Sequence, residues 1–158
     1  MHVIAAKAVS FKEASSANFR RYQRQIVKNA RELARALEKR GYRIVSGGTE
    51  THLILVDLRL NGITGKDASL ALEKAGITVN KNLIPFDKRS PAVTSGIRLG
   101  TSAVTTRGMK EFHMRKIAHY IDSAMRFSDD LQQLKKIKGE VMFLTKKFPF
   151  YPKLQKGL

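Results

Sequence analysis

The residue best suited to chemistry lies between two glycines in the middle of the chain. Arg98 is the one charged residue of the segment Thr-Ser-Gly-Ile-Arg-Leu-Gly-Thr at positions 94–101. A guanidinium binds a carboxylate through two parallel hydrogen bonds, which fix the ligand's orientation as well as its charge. Arg98 is therefore a candidate carboxylate-binding residue. From spacing alone, a solvated surface arginine or an ion pair within the chain is the more common outcome, because lysine and arginine are mostly exposed.

A second polar cluster, Asn80-Lys81-Asn82, precedes this segment. Asparagine amides can donate to and accept from a heterocycle, but they also commonly close turns. The stretch 80–106 contains two prolines and two glycines, which interrupt any long element. We predict an irregular binding loop there, with 96–99 as its strand.

Several other chemistries are not supported by the sequence. There is no cysteine, so thiolate metal sites and disulfides are excluded. The four histidines have no partner at zinc-ligand spacing, and His113 and His119 share a helix face poorly. His52 begins an apolar run and is predicted to be a structural histidine. No catalytic triad or glycine-rich phosphate loop is present, and we predict no metal site.

Helices at both ends of the chain and short strands in its middle predict an α/β layer domain. The helices are recognised from apolar residues spaced by three or four, and the strands from short β-rich or apolar runs. Caps are predicted at Ser15, Ser16 or Asn18 and at Thr64, and helix ends at Gly41, Gly76, Pro149 and Pro152. The predicted helices are 3–14, 19–37, 64–75, 114–125 and 131–144, and the predicted strands are 42–46, 53–56, 77–79 and 96–99.

The charge balance is strongly basic. Thirty Lys and Arg against 13 Asp and Glu give a formal net charge of +17. Such an excess favours binding to anionic partners, namely nucleic acid, phosphates, polyglutamate tails or an anionic membrane. The basic helix at 19–40 could lie along nucleic acid or present a solvated face.

Apolar runs in the chain are short. None approaches the roughly 20 residues that span a bilayer, and residues 1–8 do not form a signal peptide. We therefore expect no membrane segment and a cytoplasmic location.

An ordered series of motifs gives a sharper indication than spacing does. These include Val-Ser-Gly-Gly-Thr at 45–49, Ile-Thr-Gly-Lys at 63–66, Ala-Gly-Ile-Thr-Val-Asn-Lys-Asn at 75–82 and Val-Thr-Ser-Gly-Ile-Arg at 93–98. Segments 1–9, 52–58, 90–91 and 100–101 complete the series. Together they resemble the C-terminal portion of the serine hydroxymethyltransferases, from residue 1 to about residue 151.

The resemblance implies a fold, an activity and a site. It implies an α+β small domain, with a short, mainly antiparallel sheet packed by helices, of a fold-type I pyridoxal-phosphate enzyme. Such enzymes are dimers or tetramers and interconvert serine and glycine, with tetrahydrofolate as the one-carbon carrier. In the family, the arginine matching Arg98 binds the substrate carboxylate. The family's folate contacts correspond to Asn82, Ser90, Pro91 and Ala92.

This chain departs from the family pattern in three respects. Ala92 stands where phenylalanine is usual, and Ser102 where proline is common. No His-Lys pair occurs, although in the family a lysine after a histidine forms the Schiff base with the coenzyme. We therefore expect 1–16 to lead out of an absent large domain, 17–151 to form the small domain and 152–158 to be a tail.

The expected role follows from these departures. No catalytic residue is expected in this chain, and the chain alone is predicted to be inactive. One alternative is a stand-alone basic module that binds nucleic acid. Another is a domain that pairs subunits through exposed apolar surface along 3–11.

Overall fold

A computed structural model describes residues 1–151 of the chain. Within them the structure contains six α-helices, four strands and two short 3-10 helices, Val45–Gly47 and Arg59–Asn61. The helices are α1 (His2–Ala14), α2 (Ala17–Glu38), α3 (Gly65–Lys74), α4 (Ser102–Thr106), α5 (Glu111–Arg126) and α6 (Leu131–Lys146). The strands are β1 (Arg43–Ile44), β2 (Leu53–Asp57), β3 (Asn80–Asn82) and β4 (Gly96–Gly100).

The four strands form one antiparallel sheet in the order β1-β2-β4-β3. Successive side chains of a strand alternate between the two faces of a sheet. On the inner face, Ile54 pairs with Leu99 and Val56 pairs with Ile97, and all four side chains are buried. This alternation places Arg98 on the outer face.

Helix α2 is the longest element, and its two faces differ sharply. The Ser16 side chain caps it by accepting a hydrogen bond from the Phe19 N–H (3.1 Å). Its apolar stripe is buried against α5 and the sheet. After the helix, Gly41 adopts a φ of +88°, a left-handed conformation that glycine takes without strain.

The core lies between the inner face of the sheet and the helices. Threonine caps α3 as predicted, because the Thr64 hydroxyl accepts from the Asp67 N–H (3.0 Å). Asp67 lies in the first turn, where it favours the positive end of the helix dipole. The largest fully buried apolar side chains are Leu37, Ile54, Leu58, Leu72, Ile97, Met109, Met114, Ile121 and Leu134.

Helix α1 contributes no residue to this core. Val3, Ile4, Val9 and Phe11 are all more than half exposed. The predicted exposure of apolar surface along 3–11 is therefore confirmed. Of the helices within residues 1–151, none is both long and apolar enough to cross a membrane.

Three sequence predictions about local structure are wrong. Residues 77–79 are not a strand, because the Ile77 N–H bonds to the Leu72 carbonyl (2.8 Å) at the end of α3, and ladder pairing starts at Asn80. The stretch predicted to be irregular, with 96–99 as its one strand, also contains the strand β3 and the short helix α4. His52 has an exposed side chain, and its backbone carbonyl accepts from the Thr101 N–H (3.1 Å).

The predicted end of the last helix is borne out within the described residues. Helix α6 ends at Lys146, before Pro149. Pro152 and the predicted tail 152–158 lie outside the residues that the structure describes.

Candidate functional site on the outer face of the sheet

Arg98 lies at the centre of the outer sheet face. In the ladder it stands between Leu55 of β2 and Asn80 of β3. Its side chain is exposed and forms no ion pair within residues 1–151. The guanidinium is therefore open to a ligand that approaches the sheet from outside.

Two other arginines at the same sheet are held by a buried carboxylate. Asp57, only 1% exposed, pairs with Arg43 (Nη1 to Oδ2, 2.6 Å) and with Arg59 (Nη2 to Oδ2, 2.8 Å). It also accepts from the Arg59 backbone N–H (3.0 Å). Hydrogen bonds from the Arg59 guanidinium outweigh the effect of burial and lower the pKa of Asp57. Sequence reasoning missed this group, although an aspartate directly after an apolar strand was a usable signal.

The end of β4 is fastened to α2 by buried polar groups. The Thr101 hydroxyl donates to the Ile26 carbonyl (3.0 Å), and the Thr105 hydroxyl donates to the Thr101 carbonyl (2.7 Å). The Asn29 amide donates to the Thr105 hydroxyl (2.8 Å) and the Met109 carbonyl (2.9 Å). These bonds fix the strand that carries Arg98 relative to the longest helix.

Asn82 lies close to Arg98 across the sheet edge. It pairs with Gly96, two residues before Arg98, and is half-buried. Its amide Nδ2 donates to the adjacent Leu83 carbonyl (2.7 Å). A Cβ at position 96 would lie only 2.6 Å from the Val56 carbonyl oxygen, so glycine is required where these strands approach.

The loop after β3 is organised by a single carboxylate, Asp87. It accepts from the Ser95 N–H (2.8 Å), the Ser95 hydroxyl (2.7 Å) and the Arg89 N–H (3.0 Å). Burial alone would raise the pKa of Asp87, but these hydrogen bonds together lower it to about 2. Sequence reasoning missed Asp87, since its partner lies eight residues away.

Ser90, Pro91 and Ala92 form the exposed tip of this loop. The Ser90 carbonyl accepts from the N–H groups of Val93 (3.0 Å) and Thr94 (2.9 Å), which makes a tight turn. No hydrogen bond within residues 1–151 joins this tip to Arg98. The structure thus brings Asn82 beside the Arg98 strand and leaves the tip as a separate exposed edge.

The same loop presents an exposed aromatic ring that sequence reasoning did not single out. Phe86 is 95% exposed and has a φ of +58°. With Arg43 and Arg59 it lines a cavity of about 160 Å³. An apolar ring and two fixed cations therefore adjoin the outer face.

Two comparisons with known proteins decide the family. The model of the family described as serine hydroxymethyltransferase matches residues 1–121. The chain is also 56% identical over 151 residues to the serine hydroxymethyltransferase of Myxococcus xanthus (strain DK1622). This chain belongs to the serine hydroxymethyltransferase family. The alignment covers 96% of the chain and 36% of that relative, so the chain spans about a third of the relative's length.

Family membership and the antiparallel sheet packed by helices confirm the predicted fold class. The four described strands, however, provide no lysine beside Arg98 for a Schiff base with pyridoxal phosphate, the coenzyme associated with serine hydroxymethyltransferases. Lys81 is the one lysine of the four described strands, and it pairs with Ile97, on the opposite face from Arg98. No lysine of these strands is therefore directed toward a ligand at Arg98.

Proposed function

We propose that this chain is part of a serine hydroxymethyltransferase and that Arg98 binds the carboxylate of serine or glycine. The observation that supports this role is the contrast between Arg98 and two other arginines, one in the sheet and one just after β2. Arg43 and Arg59 are paired with Asp57, whereas Arg98 is exposed without an ion-pair partner among residues 1–151. A guanidinium left open in a rigid strand suits an anionic ligand.

The role proposed for Arg98 is orientation. Two parallel hydrogen bonds to the carboxylate fix the plane of that group and thus the directions of the other bonds at the adjacent carbon. Orienting a substrate in this way can supply several kcal/mol of a reaction barrier. The hydrogen bonds of Thr101 and Thr105 would keep the arginine's strand in place while it does so.

The folate is proposed to border the loop that follows β3. Asn82 would contact it from the strand edge, and Ser90, Pro91 and Ala92 from the exposed tip. Asp87 holds the shape of this loop through its hydrogen bonds to Ser95 and Arg89. With alanine at position 92, the tip offers the folate a methyl group rather than an aromatic face.

Coenzyme chemistry is proposed to come from residues outside this chain. Pyridoxal phosphate would supply an electron sink for the carbanion, and its lysine would belong to a large domain not included in these 158 residues. We propose that residues 1–16 connect to that domain and that 17–151 form the small domain. The complete enzyme is proposed to be a cytoplasmic dimer or tetramer.

A chimeric enzyme tests the role of Arg98. This chain would replace the matching third of the Myxococcus xanthus enzyme, and glycine formation from serine and tetrahydrofolate would be measured. Arg98→Ala removes two charged hydrogen bonds of about 1.5–3 kcal/mol each, so kcat/KM should fall at least about 100-fold. Arg98→Lys should recover only part of this loss, because lysine cannot bind in the bidentate manner.

The control is Arg115→Ala, an exposed arginine of α5 whose surface ion pair with Glu32 joins α5 to α2 and does not involve the sheet. It should leave kcat/KM within about twofold. An Arg98→Ala chimera with undiminished kcat/KM would contradict the proposal. The 158-residue chain alone should show no folate-dependent turnover. Measurable turnover would contradict the proposal that the coenzyme chemistry comes from residues outside this chain.

A further inference from the structure

One face of α2 carries an unusual line of cations. Five exposed basic side chains recur at intervals of three or four residues, which places them on one stripe of the helix. At a rise of about 1.5 Å per residue, four-residue steps are about 6 Å apart and the whole stripe is about 22 Å long. The members of this α2 stripe are Arg20, Arg24, Lys28, Arg31 and Arg35.

The fold does not account for the α2 stripe. None of its five members forms an ion pair within residues 1–151. Elsewhere in the same part of the chain, arginines pair with Asp57, Glu32 and Asp122. Like charges at these spacings destabilise a helix, so the stripe opposes the folding of α2 rather than assisting it.

A polar groove adjoins the C-terminal half of the stripe. It has a volume of about 640 Å³ and is lined by Arg31 and Arg35 on the helix and by the loop 46–50 opposite. The Arg31 Nε donates to the Thr49 carbonyl (3.4 Å), so this arginine reaches the loop. Gly47 and Gly48 have positive φ angles, and their missing Cβ positions are open, with no atom within 4 Å.

The lining of the groove indicates the class of ligand. Among the described residues that line it, Ala34 has the one apolar side chain, and none is aromatic. A protein partner would require an apolar interface core, and a basic patch anchors a protein stably to a membrane only together with a second, apolar or lipid anchor. A polyanion with regularly spaced charges requires neither. The 6 Å steps of the stripe are close to the distance between successive phosphates along one extended nucleic-acid strand.

We propose that the α2 stripe and its groove bind the phosphate backbone of single-stranded nucleic acid, independently of base sequence. The cations would neutralise successive phosphates and release their counterions. Since no described residue that lines the groove offers an aromatic ring for stacking or a side-chain amide for reading a base, RNA and DNA of one sequence should bind alike. Glu38 and Glu50 also line the groove, and they limit the affinity by opposing the anion.

Fluorescence anisotropy with a labelled 20-nucleotide RNA tests this site in the full chain at several salt concentrations. Replacing all five stripe residues by glutamine should lower the affinity at 50 mM salt at least about tenfold. It should also reduce the magnitude of the slope of log K against log salt concentration by about 3 to 4, because each of the five lost phosphate contacts contributes about 0.7 to that slope. Glu38→Gln with Glu50→Gln should act in the opposite sense and tighten binding.

The chain offers a control that removes the same charge from another helix. Four lysines of α6 and the residue that follows the helix are exposed but do not form one stripe; they are Lys135, Lys136, Lys138, Lys146 and Lys147. Their replacement by glutamine should leave the slope nearly unchanged. Equal losses in the two five-site variants would overturn the proposal in favour of general attraction by net charge.

Two further outcomes would also overturn it. One is the absence of measurable RNA binding by the native chain at 50 mM salt. The other is that poly-glutamate of equal charge competes as well as the RNA does, which would assign the surface to acidic polypeptides. All substituted side chains are exposed, so circular dichroism should show an unchanged helix content in every variant.

Discussion

The sheet uses arginine in two contrasting ways. Arg43 and Arg59 surround Asp57, whose carboxylate is buried and needs charged hydrogen-bond donors to offset its desolvation. Arg98, two ladder positions from the Gly96–Asp57 pair, is exposed and has no such partner among residues 1–151. A paired arginine maintains the structure, whereas an unpaired arginine on a rigid strand has its charge available for a ligand.

The largest stability effect is expected at Asp57. Asp57→Asn removes the charge that both arginines share and should lower the free energy of unfolding by about 2–3 kcal/mol. This loss of free energy is smaller than for a fully buried ion pair, because Arg43 and Arg59 are 54% and 45% exposed and water can solvate them once the pair is broken. Urea unfolding monitored by circular dichroism measures the change.

Asp129→Asn provides the matched comparison, since Asp129 is exposed and forms no hydrogen bond within residues 1–151. It should alter the free energy of unfolding by less than about 0.5 kcal/mol. If both variants were equally stable, Asp57 would not have the structural role assigned to it.

Acid should also destabilise the fold through two carboxylates, Asp57 and Asp87. The pKa of Asp87 is lowered to about 2 from 3.8, and that of Asp57 is lowered as well. A depressed carboxylate pKa contributes stability that is present above the unfolded-state value and is lost as pH falls through the folded-state value. The free energy of unfolding should therefore decrease between about pH 4 and pH 2.

Asp87→Asn isolates the contribution of the loop to this pH dependence. The variant should be less stable at pH 7 and should lose less additional stability on acidification than the native chain does. Unfolding curves at pH 7, 4 and 3 measure both effects. An unchanged acid dependence in the variant would show that Asp87 is not the responsible group.

The smallest stability effect is expected at Arg98 itself. Arg98→Ala removes an exposed side chain without an ion pair, so the free energy of unfolding should change by less than about 0.5 kcal/mol. The same urea measurement used for Asp57→Asn applies. A loss comparable to that of Asp57→Asn would make Arg98 a structural residue and remove the distinction between the two kinds of arginine.

Local signals in the sequence predicted most elements correctly. The apolar stripe of α2, the cap at Thr64 and the strand 53–56 depend on residues within a few positions of each other, and all three are confirmed. Residues 77–79 were predicted wrongly because their β-branched side chains suit a strand, whereas hydrogen bonding to the end of α3 determines their conformation.

The site was predictable only in part, since much of it depends on pairing between distant residues. Arg98 was identified from its position between glycines, and the structure places it on an exposed sheet face. The bonds of Asp87 to Ser95 and of Asp57 to Arg43 join residues 8 and 14 positions apart. Neither partner could be inferred until the strands were aligned. The roles of Asn82, Ser90, Pro91 and Ala92 remain proposals drawn from the family.

Helix α1 can serve as a reporter of assembly. It has 13 residues, none of them buried, and an isolated helix of that length is marginally stable in water. While no surface covers the helix, its amide hydrogens should exchange rapidly with solvent. Once another surface packs over Phe11, exchange should be orders of magnitude slower. Deuterium uptake along α1 therefore reports whether another surface covers this helix, independently of how stable the core is.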